Sequence, residues 1–185
     1  ASACAGVIKT IGYYKNTRTD TKKDARAVRF LPPEIQQVFP EVCSAYERQR
    51  SLEGRLDFDD MLGDCQKLLS ENKSMREYWQ SRFSHILVDE FQDMNPAQYE
   101  VIKLLSAPPH AIFAVGDDDQ SIYKFRGANI GNILHFEESF PGAEVIRLEQ
   151  NYRSTKNILN AANQVIAHND GRMDKTLWSD KPEGD

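Results

Sequence analysis

Three short, largely apolar runs stand out from the pattern of hydrophobic and polar positions along the chain. They span residues 85–88, 111–115 and 144–148. Charged or amide residues follow each run, in the second case after Gly116. Short apolar runs bounded by polar residues are typical of strands buried on both faces of a parallel sheet. We therefore predict three parallel strands, the first of which leads into Asp89 and Glu90.

Segments whose apolar residues have helical spacing lie before and between these runs. It occurs in the segments 34–50, 57–69, 74–83, from 95 onward, about 129–140, and 155–168. Pro33 and Pro96 suit a first helical position, and Asp57 is a suitable N-cap. Pro40 lies inside the first segment, so we expect a break there and two helices. Strands that alternate with helices through short links predict an α/β fold with a parallel sheet and flanking helices, preceded by a mostly helical segment.

Polar residues follow each predicted strand at the point where it ends. The first strand is followed by Asp89, Glu90 and Asp93, the second by residues 117–120, and the third by residues 149–153. Right-handed crossovers put the carboxyl ends of parallel strands at one edge of a sheet. Carboxylates at such an edge suit magnesium–nucleotide chemistry. The alternative for Asp89 and Glu90 is a solvated acidic turn.

Composition and charge argue against some classes of protein. The chain has 185 residues, 40% of them hydrophobic, and a net charge of −5, which argues against non-specific nucleic-acid binding by the whole surface. Residues 1–30 hold seven basic and two acidic residues, which could meet a polyanion, although a solvated face is the commoner reason. The three cysteines lack metal-ligand spacing, and no apolar run approaches the ~20 residues of a membrane span. We expect reduced cysteines, no membrane partner and a cytoplasmic protein.

Three longer motifs contain these strand ends. They read VDEFQD at 88–93, GDDDQSIYKFRGA at 116–128 and LEQNYRS at 148–154. In order and spacing they resemble motifs II, III and IV of the UvrD/Rep family, the superfamily 1A DNA helicases. The resemblance implies an ATP-dependent helicase that uses Mg²⁺ and binds ATP between two RecA-like domains. It implies a partial RecA-like P-loop NTPase domain (1A) at 55–185 and part of the inserted helical subdomain 1B at 1–54.

The resemblance also implies a nucleotide site, position by position. Asp89 would hold the magnesium ion, and Glu90 would be the general base that orients the attacking water, worth roughly 10²–10⁴ in rate. Gln120 would sense the γ-phosphate. Tyr152 would stack on the adenine, and Arg153 would act as an arginine finger. For Tyr152 and Arg153 the alternative is a packing role at the entry of a helix.

The second motif would contact DNA if the resemblance holds. Tyr123 and Phe125 would stack on bases, each worth about 1–3 kcal/mol, and Arg126 would fix the loop or contact the strand. Phe125 stands where relatives usually have Trp, so its stacking face is smaller; partial burial in the core is the alternative for both aromatics. We expect Asp118 and Asp119 to satisfy their own turn rather than bind metal. The implied partners are single-stranded DNA and single-strand/double-strand junctions, in DNA repair or replication.

The sequence contains no G-x-x-x-x-G-K-[S/T] loop, whose amides and lysine neutralise nucleotide phosphates in P-loop enzymes. We therefore expect a helicase fragment that is inactive by itself. An uncovered strand edge and apolar surface also predict self-association. A non-catalytic single-stranded DNA-binding module around Tyr123 is the main alternative. An interaction domain with an acidic surface is a third, for which the sequence offers no specific support.

Overall fold

A computed structural model describes residues 2–21, 26–106, 111–123, 127–173 and 175–184. Within these ranges the chain forms eight α-helices and two β-strands. In chain order they are α1 (Ser2–Thr17), α2 (Pro33–Leu52), α3 (Phe58–Glu71), α4 (Lys73–Gln80), β1 (His85–Val88), α5 (Pro96–Leu105), β2 (Ala111–Ala114), α6 (Gly131–Leu134), α7 (Phe136–Ser139) and α8 (Lys156–Ile166).

The two strands pair in parallel, as predicted. His85 aligns with Ala111, and Val88 aligns with Ala114. The pairing continues past the strands, because the Val115 N–H donates to the Val88 carbonyl at 2.8 Å. A parallel pair needs a crossover, and α5 lies in the segment that connects the two strands. The residues that follow β1 and β2 therefore lie at the same edge of the sheet.

The prediction that the strands are buried on both faces is wrong for the part of the chain that the structure describes. Successive side chains of a strand point to opposite faces. Val88 and Ala114 pack against a core built around Phe91. On the other face Leu87 is 75% exposed and Phe113 is 60% exposed. Helices of the described ranges thus cover one face of the sheet, and the other face is open.

The predicted third strand is also wrong for the described residues. Residues 144–148 form no strand, and Ile146 and Leu148 are 72% and 83% exposed. The chain instead pairs just beyond this segment, where Gln150 forms an isolated parallel bridge with Trp178. An apolar run forms a strand only where a neighbouring strand pairs with its backbone N–H and C=O groups. Neither described strand pairs with residues 144–148.

Two helices differ from their predicted extents. α2 runs unbroken through Pro40, so the predicted break is wrong. The neighbouring Phe39 is fully buried and packs on Tyr14, and we attribute the intact helix to this packing, which offsets the roughly 3 kcal/mol cost of an interior proline. The single helix predicted at about 129–140 is divided into α6 and α7 at His135, whose φ of −110° and ψ of 30° are not helical.

The predicted helix starts are confirmed. Pro33 is the first residue of α2. The Asp57 carboxylate caps α3 by accepting the Asp60 N–H at 2.8 Å, while the Asp60 carboxylate accepts the Asp57 N–H at 2.9 Å. Asn95 caps α5 in the same reciprocal way with Gln98, at 2.9 and 3.0 Å. These caps fix where α3 and α5 begin, and α5 in turn sets the approach to β2.

Lys15 joins the N-terminal helices to the rest of the chain. Its Nζ lies 2.8 Å from a Glu47 oxygen and 2.7 Å from oxygens of both Asp57 and Asp60. Although burial lowers the pKa of Lys15, hydrogen bonds to these carboxylates raise it overall. Although burial raises the pKa of Asp57, hydrogen bonds from Lys15 and the Asp60 backbone hold it at about 2. The helical segment before residue 55 therefore packs on the start of α3, and the predicted domain boundary stays a prediction.

Candidate functional site

The residues directly after β1 form the first part of the site. Glu90 adopts a left-handed backbone conformation, with φ of 51° and ψ of 43°, which is uncommon for a residue other than glycine. The Asp89 carboxylate accepts the Glu90 N–H at 2.9 Å, and the Phe91 N–H donates to the Val115 carbonyl at 3.0 Å. These hydrogen bonds stabilise the turn, because the left-handed conformation of a residue such as Glu90 costs on the order of 1–3 kcal/mol of free energy. Both acidic side chains remain exposed.

A cavity of about 380 Å³ opens beside these acids. Asp89, Glu90, Asp93 and Gln98 contribute its polar lining. The apolar lining comes from Leu62, Val88, Met94, Val101 and Ile102. One Asp93 carboxylate oxygen is buried without a hydrogen-bond partner. Burial and the charge of Glu90 raise the pKa of Asp93. The described residues thus supply three clustered carboxyl groups without an ion pair to a basic side chain.

Gln92 connects the two strand ends, a role that its sequence pattern does not predict. Its side chain is buried, with 1% of the residue exposed. The amide nitrogen donates to Glu90 Oε2 at 2.8 Å, and the amide oxygen accepts the Asp117 N–H at 2.9 Å. Its only sequence signal was its position inside VDEFQD. A polar residue beside the fully buried Phe91 must find partners when it is buried itself.

The residues after β2 form the second part of the site. The Gln120 amide donates to Asp117 Oδ2 at 2.5 Å, and Asp117 Oδ1 accepts the Asp119 N–H at 3.1 Å. Gly116 has no room for a side chain, because a Cβ atom there would lie 2.8 Å from the Gln92 amide oxygen and 2.8 Å from Ile133. Glycine therefore lets the two strand ends approach each other. The structure brings Glu90 and Gln120 into one hydrogen-bond network through Gln92 and Asp117, and their predicted catalytic roles stay predictions.

Cations from far along the chain neutralise the acids after β2. The Lys175 ammonium binds carboxylates of Asp117 and Asp118, and it lies 3.4 Å from Asp119. Arg172 forms a bidentate pair with Asp119 at 2.9 and 2.8 Å, and its hydrogen bonds lower the pKa of that carboxyl. Burial lowers the pKa of Lys175, but the bonds to Asp117 and Asp118 raise it overall.

This arrangement corrects the expectation for Asp118 and Asp119. Neither carboxylate satisfies its own turn: Asp118 accepts the Met173 N–H at 2.6 Å, and Asp119 binds Arg172. The cluster of three acids is close enough in space to ligate a metal ion, but Lys175 already occupies its centre. The acids after β2 are therefore structural partners of the 172–175 segment.

The hydrogen bonds of Tyr152 and Arg153 are made to residues other than those that follow β1 and β2. Tyr152 is 75% exposed, and its hydroxyl donates to the Gln150 side chain at 2.8 Å. The Asn151 carboxamide accepts the Arg153 N–H at 2.9 Å, and the Arg153 side chain is exposed. Within the described ranges no hydrogen bond or ion pair joins either side chain to Asp89, Glu90 or Gln120. Their predicted roles stay predictions.

The predicted DNA-contacting residues are described only in part. Tyr123 is 36% exposed, and its carbonyl accepts the Ala128 N–H at 3.3 Å. Gly127 has a φ of 88°, which favours glycine. Phe125 and Arg126 lie outside the described residues. The predicted stacking of Tyr123 and Phe125 on DNA bases therefore stays a prediction.

Comparisons with known proteins agree with the three motifs. The model of the UvrD/REP helicase N-terminal domain matches residues 6–141, and the model of the UvrD-like helicase C-terminal domain matches residues 146–185. The chain therefore belongs to the UvrD/Rep helicase family. Because Arg172 and Lys175 lie in the second match, their ion pairs to residues 117–119 join the two matched segments.

Individual relatives share this family. The chain is 46% identical over 175 residues to the ATP-dependent DNA helicase PcrA of Staphylococcus epidermidis and 45% identical over 175 residues to that of Staphylococcus aureus. Each match covers 95% of this chain and 24% of the relative. The chain thus spans about a quarter of the length of these relatives. Among the described residues, no helix is long and apolar enough to cross a membrane.

Proposed function

We propose that this chain forms part of an ATP-dependent DNA helicase and supplies one wall of its nucleotide site. The observation that carries the proposal is the parallel pairing of β1 and β2, which joins Glu90 and Gln120 through one hydrogen-bond network beside an open cavity. In a doubly wound α/β fold, ligands bind at the carboxyl edge of the parallel strands. Family membership and the names of the relatives support the same activity.

The acids after β1 fit a magnesium ion. Mg²⁺ prefers carboxylate and water oxygens, and Asp89 and Glu90 offer exposed carboxylates that no basic side chain of the described residues neutralises. Asp89 would hold the ion, which when bound would supply positive charge next to the transferred phosphoryl group. Glu90 would orient the attacking water and accept its proton. The bond from Gln92 leaves the second carboxylate oxygen of Glu90 available for that water.

The remaining nucleotide contacts complete the proposal. Gln120 would report on the γ-phosphate, and its bond to Asp117 would pass a change there to the loop after β2. Tyr152 would stack on the adenine through its exposed ring. Arg153 would stabilise the charge of the transferred phosphoryl group, a task suited to its exposed guanidinium. These three roles rest on the resemblance and on the exposure of the side chains.

Single-stranded DNA and single-strand/double-strand junctions are the proposed substrates. Tyr123 and Phe125 would stack on bases, and Arg126 would contact the strand or fix the loop. The exposure of Tyr123 supports its part of this role. Hydrolysis would drive translocation along the strand, in repair or replication of DNA in the cytoplasm.

We also infer that the 185-residue chain does not hydrolyse ATP alone, because its sequence contains no phosphate-binding P-loop. The test compares the chain alone with a graft, in which it replaces the matching segment of the Staphylococcus aureus PcrA helicase. The graft should show magnesium-dependent ATPase activity that single-stranded DNA stimulates, and the chain alone should show none. Activity of the chain alone that Glu90→Gln abolishes would contradict the inactivity, and a folded but inactive graft would contradict the proposed helicase function.

Self-association of the chain is a second proposal, which the open face of the sheet favours. Leu87 and Phe113 are adjacent partners in the strand register and are both largely exposed. Large exposed apolar groups on a two-stranded sheet with free edges are prone to association. Light scattering over a concentration series would measure it, and a constant monomer mass would contradict it.

A further inference from the structure

Gln92 is an unusual occupant of the core. The largest fully buried side chains of the described residues are those of Phe39, Phe91 and Gln92, and Gln92 is the one polar member. Burying an amide without hydrogen-bond partners costs free energy, because its hydrogen bonds to water are lost. Gln92 avoids that cost because its nitrogen and its oxygen each have a partner. Its burial is therefore tied to those two partners.

Those partners belong to the two halves of the site. On one side is the carboxylate of Glu90, 2.8 Å from the Gln92 nitrogen. On the other side is the backbone of Asp117, 2.9 Å from the Gln92 oxygen, and Asp117 in turn binds the Gln120 amide. A further hydrogen bond, from the Ser121 hydroxyl to the Gln92 carbonyl at 3.4 Å, ties the same loop to the backbone of Gln92. The connection from Glu90 to Gln120 thus runs through one rigid amide.

The packing around this amide leaves it little freedom. Phe91 precedes it in the core and is fully buried. The lack of a side chain at Gly116 lets the peptide of Asp117 approach the amide oxygen. A fixed amide fixes in turn which oxygen of Glu90 is hydrogen-bonded and which is free, because the exposed Glu90 side chain has no other hydrogen-bond partner among the described residues.

We propose that Gln92 is a positioning residue: its amide orients the Glu90 carboxylate and couples that orientation to the loop of Asp117 and Gln120. The inference rests on the proposed function, in which Glu90 acts on water. A residue that orients a reacting group changes the rate of the chemical step more than the binding of substrate. Residues that orient the ligands of metal sites by hydrogen bonds contribute about 10–100-fold to affinity or activity, and we expect a loss of the same order here.

Two substitutions separate the two bonds of the amide. Gln92→Glu keeps an oxygen for the Asp117 N–H but removes the donor to Glu90 and places two carboxylates side by side. Gln92→Met has a similar length and removes both bonds. Gln66→Glu is the matched control, since Gln66 is also buried but lies in α3 and has no bond to the site among the described residues.

The experiment measures steady-state ATPase kinetics of the graft with saturating single-stranded DNA. Both Gln92 variants should lower kcat by about 10–100-fold with little change in the KM for ATP, and the Gln66→Glu variant should retain its kcat. A loss with Gln92→Met but not with Gln92→Glu would overturn the proposal, because the bond to Glu90 would then not matter. An unchanged kcat in both variants, or an equal loss in the control, would overturn it as well.

A second readout on the 185-residue chain does not depend on activity. The side-chain amide protons of Gln92 should give a distinct, slowly exchanging nuclear magnetic resonance signal that shifts with Glu90→Ala, whereas the signal of Gln66 should not. A rapidly exchanging Gln92 amide would overturn the inference. An unmodified graft that is folded but inactive would instead contradict the proposed function, so the two failures are distinguishable.

Discussion

The acids after β1 and the acids after β2 lie at the same edge of the sheet but have opposite electrostatic surroundings. Asp89 and Glu90 are exposed, and no basic side chain of the described residues pairs with them. Asp118 and Asp119 are held by Lys175 and Arg172, which lie more than 50 residues away in the sequence. The two runs of carboxylates are similar in sequence, but their charges have different partners and therefore different roles.

The difference separates the proposed binding role of the acids after β1 from the structural role of the acids after β2. A carboxylate that already has a buried cation gains little from a metal ion, whereas an unpaired one has free oxygens and a favourable local potential. The acids after β2 bind Arg172 and Lys175, so they join the two segments matched by the helicase domain models. The acids after β1 remain available for magnesium and water.

The largest effect expected from this comparison is on catalysis. In the graft, Glu90→Gln should lower kcat by roughly 10²–10⁴, because the group that accepts the proton is removed, with little change in stability. Asp118→Asn should cause a much smaller loss of kcat but should lower the free energy of unfolding, because it weakens the bond to Lys175. Parallel ATPase assays and urea titrations measure both. Equal losses of kcat would mean that the two acid groups do not differ in role.

The next effect is on stability. Lys175→Met should lower the free energy of unfolding of the 185-residue chain by about 3–5 kcal/mol, because it leaves the nearly buried Asp118 charge without its partner. Lys73→Met is the control: its pair with Glu77 is exposed, and its loss should cost at most about 1 kcal/mol. Urea unfolding followed by circular dichroism measures both. A Lys175 variant as stable as the control would show that the ion pairs after β2 do not hold the fold.

A third cluster of charged residues, around Lys15, lies away from the sheet and allows stabilisation by ion pairs to be tested there. The folded-state pKa of Asp57, about 2, is below its ordinary value of 3.8, so its contribution is complete above about pH 4 and is lost as the pH falls toward 2. Because the Asp57 side chain is partly exposed, solvent screening limits that contribution to about 1 kcal/mol or less. Lys15→Met should therefore be most destabilising near neutral pH, and its difference from the unmodified chain should shrink below pH 4.

Urea titrations between pH 2 and pH 7 measure that difference. A difference that stays constant with pH would show that the Lys15 side chain stabilises by packing alone. Lys67→Met, in α3, is the control for removal of a positive charge, since Lys67 is exposed, and its effect should not follow the titration of Asp57.

The smallest expected effect on stability accompanies a change in association. Leu87→Ser should lower the apparent mass at high concentration while changing the free energy of unfolding by only about 0.5 kcal/mol, because Leu87 is largely exposed. Leu56→Ser is the control, since Leu56 is also exposed but lies outside the sheet. Light scattering of both variants measures the mass. An equal fall in mass for both would point to general apolar contact rather than to the open face of the sheet.

Local signals in the sequence were reliable where the structure depends on neighbouring residues. Asp57 and Asn95 cap their helices with reciprocal partners three residues away, and Pro33 begins α2. The apolar runs before Asp89 and Gly116 form the predicted parallel strands. Pattern reasoning failed where distant packing decides. The buried Phe39 carries α2 through Pro40, and residues 144–148 find no described strand to pair with.

The sequence by itself determined the family, the two strand ends and the carboxylates that follow them, because motifs and short apolar runs consist of consecutive residues. Only the tertiary structure decided how those carboxylates differ. The cation that neutralises Asp118 comes from Lys175, 57 residues further on, and the amide of Gln92 joins two loops 25 residues apart. Such pairings depend on which side chains the fold buries together. Burial also makes them strong, since a charge or an amide removed from water must find its partner inside the protein.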